Sequence, residues 1–170
     1  ISPFSVIAGS PDPMQASSAL RIERAIDSVL AGLTIQEKIG QLVQYTGGWK
    51  TGPSGRTISG EQRDLIRGGK TGSLLNVFGS TLTRELQQIA VNESRAKIPL
   101  LFGLDVIHGF RTTFPIPLAE AATWNPEAVE LSARIAAAEA SSAGIHWTVG
   151  PMVDIARDPR WGRIAEGSGE

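Results

Sequence analysis

Two charged clusters carry residue types that could handle a polar organic ligand. In the first, Asp105 directly follows the apolar run Leu100-Leu101-Phe102-Gly103-Leu104, and Arg111 lies six residues further on. A carboxylate at such a point either caps the next loop, by accepting backbone N–H bonds, or faces a ligand. Position alone leaves both readings open. Arg111 is either a structural partner of Asp105 or shares a polyhydroxylated ligand with it. A sugar hydroxyl both donates and accepts, so an aspartate and an arginine can hold it from opposite sides, through charge-assisted hydrogen bonds of the stronger kind.

The second cluster is Asp154-Ile155-Ala156-Arg157-Asp158-Pro159-Arg160-Trp161-Gly162-Arg163, with three arginines, two aspartates and a tryptophan in ten residues. For Asp154, Arg157 and Asp158 the weightier reading is a salt-bridged loop that locks a strand end. Trp161 either stacks on a sugar face or, beside Pro159 and Gly162, packs its own loop. Arg163 ends the run and can project into a site. Asp105 and Asp154 close consecutive apolar runs. On neighbouring strands about 5 Å apart, their carboxyl groups fall within the roughly 5–9.5 Å that glycosidase pairs use, a permissive geometry and not a specific one.

Other chemistries find less support. The two histidines, His108 and His146, stand alone. His146 sits inside an apolar run and reads as a packing residue, and His108 reads as a hydrogen-bonded loop residue before a proton-transfer group. The chain has no cysteine, which excludes disulfides, thiolate ligands and cysteine nucleophiles. No metal and no cofactor is expected. A formal net charge of −1 gives no support for nucleic-acid binding. No apolar run approaches the roughly 18 residues of a membrane span.

The elements that must position these residues follow from periodicity. Residues 1–16 read as an irregular arm, rich in small residues and proline. From Ser18, Leu20, Ile22, Ile26, Val29, Leu30 and Leu33 recur at helical spacing. Thr34-Ile35-Gln36-Glu37 is a capping-box pattern that opens a second helix with Ile39, Leu42 and Val43. Gly47 to Gly60, with Trp49 and Lys50, reads as a long loop. A strand is expected over 73–78, an amphipathic helix over 81–96 and a strand over 99–104. An alanine-rich helix then runs from the N-cap Asn125 and Pro126 to Gly144, before a strand over 145–149.

Strands apolar on both faces, alternating with helices, predict a parallel α/β sheet. Polar residues follow each strand at its C-terminal end, which is where a (β/α)₈ barrel carries its chemistry. The glycine-rich dinucleotide fingerprint is absent. The expected fold is therefore α/β, the N-terminal part of a TIM-like barrel over residues 17–170. The final residues Arg163 to Glu170 are loop-like with no closing element, and three strands make an incomplete barrel. The reading is a truncated domain, inactive and poorly stable on its own.

Five runs in order carry a family resemblance: Gly103-Leu104-Asp105-Val106-Ile107-His108-Gly109, Arg111-Thr112-Thr113-Phe114-Pro115, Ala122-Thr123-Trp124-Asn125, Gly150-Pro151-Met152-Val153-Asp154, and Arg157-Asp158-Pro159-Arg160-Trp161-Gly162-Arg163 with Glu166. In order and spacing they resemble the N-terminal barrel domain of glycoside hydrolase family 3, from roughly Leu33 to Glu170, and within it the bacterial periplasmic β-glucosidases. The Asp-Val-Ile-His-Gly run argues against the N-acetylhexosaminidase branch.

The resemblance implies retaining hydrolysis of terminal β-linked glucosyl residues, with an aspartate nucleophile and a glutamate acid/base. It places both of these downstream of the present residues, along with a Lys-His pair for sugar binding and a following α/β sandwich domain. It assigns Asp105, Arg111 and Arg163 to the glycone-binding set, and it demotes Asp105 and Asp154 as a catalytic pair. The implied partner is a β-glucoside or β-linked oligosaccharide, in a periplasmic or secreted setting. A β-xylosidase of the same family, a non-catalytic sugar-binding module and, more remotely, a phosphate-binding barrel synthase are the alternatives.

Overall fold

A computed structural model describes residues 13–48 and 57–169. Helix α1 (Pro13–Gly32) leads into α2 (Ile35–Gln41). Strands and helices then alternate as β1 (Gln44–Thr46), α3 (Gly60–Arg67), β2 (Ser73–Leu75), α4 (Ser80–Gln88), β3 (Leu101–Leu104), α5 (Pro117–Ala121), α6 (Pro126–Ser142) and β4 (Trp147–Thr148). The strands form one parallel sheet in the order β1-β2-β3-β4. Each crossover returns the chain to the same edge, so the four strand C-termini share one rim.

Register explains which side is buried. Tyr45, Leu74 and Phe102 lie abreast on one face. Leu74 and Phe102 are fully buried there, together with Leu86 and Ile66 from the covering helices. Side chains alternate along a strand, so Leu101 and Trp147 belong to the opposite face, where they are 51% and 47% exposed.

Local sequence sets the helix ends. Thr34 caps α2: its hydroxyl accepts the Glu37 N–H while the Glu37 carboxylate accepts the Thr34 N–H at 2.9 Å. Ser59 and Gln62 make the same reciprocal pair at the start of α3. Helix α4 buries Thr83 and Leu86, then widens into a π turn at Ile89–Glu93. Beyond that turn Arg95 reaches the Glu37 carboxylate, with Nε at 2.8 Å. Helix α6 buries Ser132, Ala136 and Ala140, small residues that let it lie close to the sheet. Gly144 then turns out with φ +86, where a side chain would collide with Thr83.

The structure differs from the sequence expectations in several places. Helix α1 starts at Pro13, inside the stretch read as an irregular arm, and residues 1–12 lie outside the described residues. Its expected apolar positions are exposed, with Leu20 at 60% and Ile22 at 56%. Strand β1 is not anticipated by the sequence reading, because Gln-Tyr-Thr carries no apolar run, and its three residues are all exposed. With β1 the described sheet has four strands where three were expected. Helices α3 and α5 were not anticipated either, although Ser59-x-x-Gln62 is a legible capping signal for the first. In α6 the bulky Val129 and Leu131 point outward and the alanine face goes in. Trp49 and Lys50 fall outside the described residues.

Candidate active site

The two charged clusters follow the C-terminal ends of β3 and β4 in the chain. Asp105 leaves the end of β3 and is exposed. Among the described residues no hydrogen bond to its carboxylate is found. The chain after it folds back on itself. The Phe114 N–H donates to the His108 carbonyl at 2.8 Å, and His108 Nδ1 lies 3.2 Å from the Phe114 carbonyl. Between them Gly109 takes φ +114, and its missing side chain makes room for the Thr112 carbonyl. Phe110 packs edge-on against Phe78, with ring centroids 5.5 Å apart, and so ties the loop to the core. His108 is thus a hydrogen-bonded loop residue, as read from sequence.

The outer side of this loop is held by α6. One oxygen of the half-buried Glu139 carboxylate accepts the backbone N–H groups of both Arg111 and Thr112 at 2.8 Å, and the other accepts the Thr112 hydroxyl at 2.7 Å. Those bonds, the Thr112 backbone one foremost, hold the carboxyl below its usual range, and the Arg111 charge adds to this.

The second cluster follows β4. A parallel bridge joins Met152 to Gly167, and the Ala156 N–H reaches the Gly169 carbonyl at 3.4 Å, so the end of the segment lies along its beginning. Asp158 and Arg160 pair with each other: Asp158 accepts the Arg160 N–H at 2.9 Å and its guanidinium at 2.5–3.2 Å, which lowers the Asp158 pKa. Arg163 opens a 3₁₀ turn at Ile164–Glu166. Its Nε donates to both Glu166 carboxylate oxygens at 2.9 Å, and its Nη2 pairs with the same carboxylate. The Glu166 hydrogen bond raises the Arg163 pKa most, with further attraction from Asp105 and then Asp154.

The three residues singled out from sequence are therefore not equivalent. The Asp105 charge acts on Arg163, helping to raise its pKa after the dominant Glu166 hydrogen bond. Arg111 lies on the same loop as Asp105, and the acidic group its charge acts on is Glu139. Asp154 adds a smaller attraction on Arg163 than Asp105 does. The salt-bridged reading of the second cluster holds for Asp158, through Arg160. His146 packs on the Phe102 ring, and its Nδ1 accepts the Phe102 N–H at 3.2 Å, a structural role.

Sequence reasoning missed Glu139 and the part played by Glu166. Glu166 carried a signal, since it stands one turn after Arg163. Glu139 carried a weaker one, as a lone carboxylate in an alanine run without a basic residue three or four positions away. Among the described residues no cluster of histidine and acidic side chains could hold a metal ion. A groove of about 340 Å³ lies between α4 and the end of α6. Its Thr83, Gln87 and His146 side chains bond to Gly79, Leu100 and Phe102, so it reads as a helix seam.

Comparison with known proteins bears on the family and the fold. Residues 34–170 match the family described as Glycosyl hydrolase family 3 N terminal domain. The chain is 41% identical over 145 residues to a periplasmic beta-glucosidase of Salmonella typhimurium, covering 85% of this chain and 18% of that protein. It is 28% identical over 167 residues to a putative beta-xylosidase of Formosa agariphila, covering 91% of this chain and 22% of that protein. Among solved structures it superposes on a beta-glucosidase of Listeria innocua in complex with laminaribiose, a D270A mutant, with TM-score 0.73 and 33% identity, covering 86% of this chain and 21% of the other. The same enzyme with glucose gives TM-score 0.72. The chain spans about a fifth of the length of these relatives.

Proposed function

The chain belongs to glycoside hydrolase family 3, as part of its N-terminal barrel domain, and from that premise we propose that the whole protein is a retaining exo-β-glucosidase. The observation that carries this is the exposed Asp105 just past the C-terminal end of β3, in a chain whose residues 34–170 match the family's barrel domain. A carboxylate at that end of a barrel strand suits the hydroxyls of a nonreducing sugar, and its charge also acts on the Arg163 guanidinium.

In this reading the present residues grip the glycone. Asp105 accepts from sugar hydroxyls, and Arg163, held by Glu166, donates to them. Arg111 completes the set from the loop after β3. The bond-breaking groups lie in the rest of the protein. A carboxylate nucleophile displaces the aglycone oxygen, which takes a proton from the acid. Water then cleaves the glycosyl ester, giving net retention. The substrate is a β-glucoside or β-linked oligosaccharide, and the setting is periplasmic or secreted, by analogy with the Salmonella relative. None of the described helices is long and apolar enough to cross a membrane.

A β-xylosidase is the second reading, since a Formosa relative carries that name. Hydrolysis of aryl β-glucosides and aryl β-xylosides by the whole protein separates the two. A higher kcat/KM on the xyloside sinks the glucosidase assignment, and activity on neither returns the protein to the sugar-binding alternative.

A further inference from the structure

The loop that carries Asp105 and Arg111 is fixed at its outer edge by a single side chain from another element. Glu139 takes three hydrogen bonds of 2.7–2.8 Å from Arg111 and Thr112, two of them from backbone N–H groups. No basic residue of its own helix competes for it: Arg134, the arginine of α6, is paired with Glu130. The loop has two other anchors, the His108–Phe114 closure and the packing of Phe110 on Phe78. Both of these act on either side of the segment 111–112, which turns between Gly109 and its bridge partner Thr113. The Glu139 carboxylate is what bonds the Arg111 and Thr112 amides themselves.

We propose that Glu139 is a positioning residue for sugar binding, fixing the Arg111 backbone and, through the loop, the approach of Arg111 and Asp105 to the nonreducing sugar. This rests on the reading of Asp105 and Arg111 as glycone contacts. Glu139 touches no substrate. It acts by removing freedom from a loop whose side chains must meet several hydroxyls at once, and a small misplacement there is costly.

The chemistry of the clamp separates hydrogen bonding from charge. In Glu139→Gln the amide oxygen can still accept both backbone N–H groups, and its NH₂ can donate to the Thr112 hydroxyl. Glu139→Ala leaves all three donors without this partner. The test uses the whole protein, with kcat, KM and competitive inhibition by glucose measured on an aryl β-glucoside, beside thermal melting and amide exchange at residues 105–114. In Glu139→Ala, KM and the glucose inhibition constant rise together by about tenfold, with a much smaller change in kcat. The Arg111 and Thr112 amides exchange faster, and Glu139→Gln recovers most of the loss.

Three results overturn the proposal while leaving the glycosidase reading in place: wild-type KM and glucose inhibition in Glu139→Ala, a lowered melting temperature with no change in KM, or a glutamine variant as defective as the alanine one. If Glu139→Ala does not fold, Thr112→Val removes the hydroxyl bond alone, and an unchanged glucose inhibition constant there counts against the clamp. A wild-type protein that neither hydrolyses β-glucosides nor binds glucose overturns the site reading and this proposal with it.

Discussion

Arg163 feels the charge of Asp105 across the strand C-terminal rim, although one residue closes the segment beyond β4 and the other leaves β3. Neighbouring parallel strands set the two segments side by side: Gly103 and Leu104 of β3 pair with Trp147 and Thr148 of β4. In the proposed reading, that pairing is the start of the path by which a carboxylate and a guanidinium far apart in sequence serve one sugar.

If both act on the glycone, removing either is costly and the costs overlap. In the whole protein, Asp105→Ala and Arg163→Ala are each expected to lower kcat/KM on an aryl β-glucoside by on the order of 2–4 kcal/mol in transition-state stabilisation. The double variant is expected to lose less than the sum, because the groups share a ligand and attract each other. Additive losses would place the two side chains on separate tasks.

Glu166 serves Arg163, and its effect on activity is expected to exceed its effect on stability. The pair is exposed enough, at 54% and 34% of the two side chains, for its folding contribution to be small. Glu166→Gln is expected to leave the urea midpoint nearly unchanged and to lower kcat/KM by about tenfold, by freeing the guanidinium. Comparable losses in both measurements would make Glu166 a folding residue instead.

Glu37 gives the fold an acid-sensitive clamp. The Arg95 hydrogen bond, and after it the Thr34 backbone N–H, lowers its pKa from 4.5 to about 2. The folded-state value lies below the unfolded one, so the stabilisation is fully present above pH 4.5 and fades as pH falls toward 2. Urea midpoints of wild type and Glu37→Gln are expected to differ at pH 7 and to converge between pH 4.5 and 2. A gap that stays constant across that window would assign the difference to packing.

Much of this was legible in the sequence, and the exceptions share a cause. β2, β3 and the helices α4 and α6 announce themselves through apolar runs, Asn125 and Gly144, because burial and capping act locally on residue choice. β1 does not, because its residues are exposed and its place in the sheet comes from pairing with β2. The site divides in the same way. Asp105 and Arg163 stand out as charges after apolar strands. The electrostatic link between them runs through tertiary structure, which no local pattern encodes. Glu139 is the extreme case, since its partners lie 27 and 28 residues away and its own neighbours are alanines.

Two glycines test how tightly the rim loop is built. At Gly109, φ is +114 and a Cβ would overlap the Thr112 carbonyl. An alanine there must shift the same peptide that Glu139 holds, at a strain of about 1–3 kcal/mol. Gly60 is the counterpart, since it sits in the first turn of α3 and a Cβ there meets no atom within 4 Å. Gly60→Ala is expected to stabilise the fold by about 0.4–1 kcal/mol, through the unfolded chain. Gly109→Ala is expected to lower the urea midpoint and to raise KM for an aryl β-glucoside in the whole protein, whereas Gly60→Ala leaves KM alone. Equal effects of the two substitutions on KM would mean that the loop after β3 is not what presents Asp105 to the sugar.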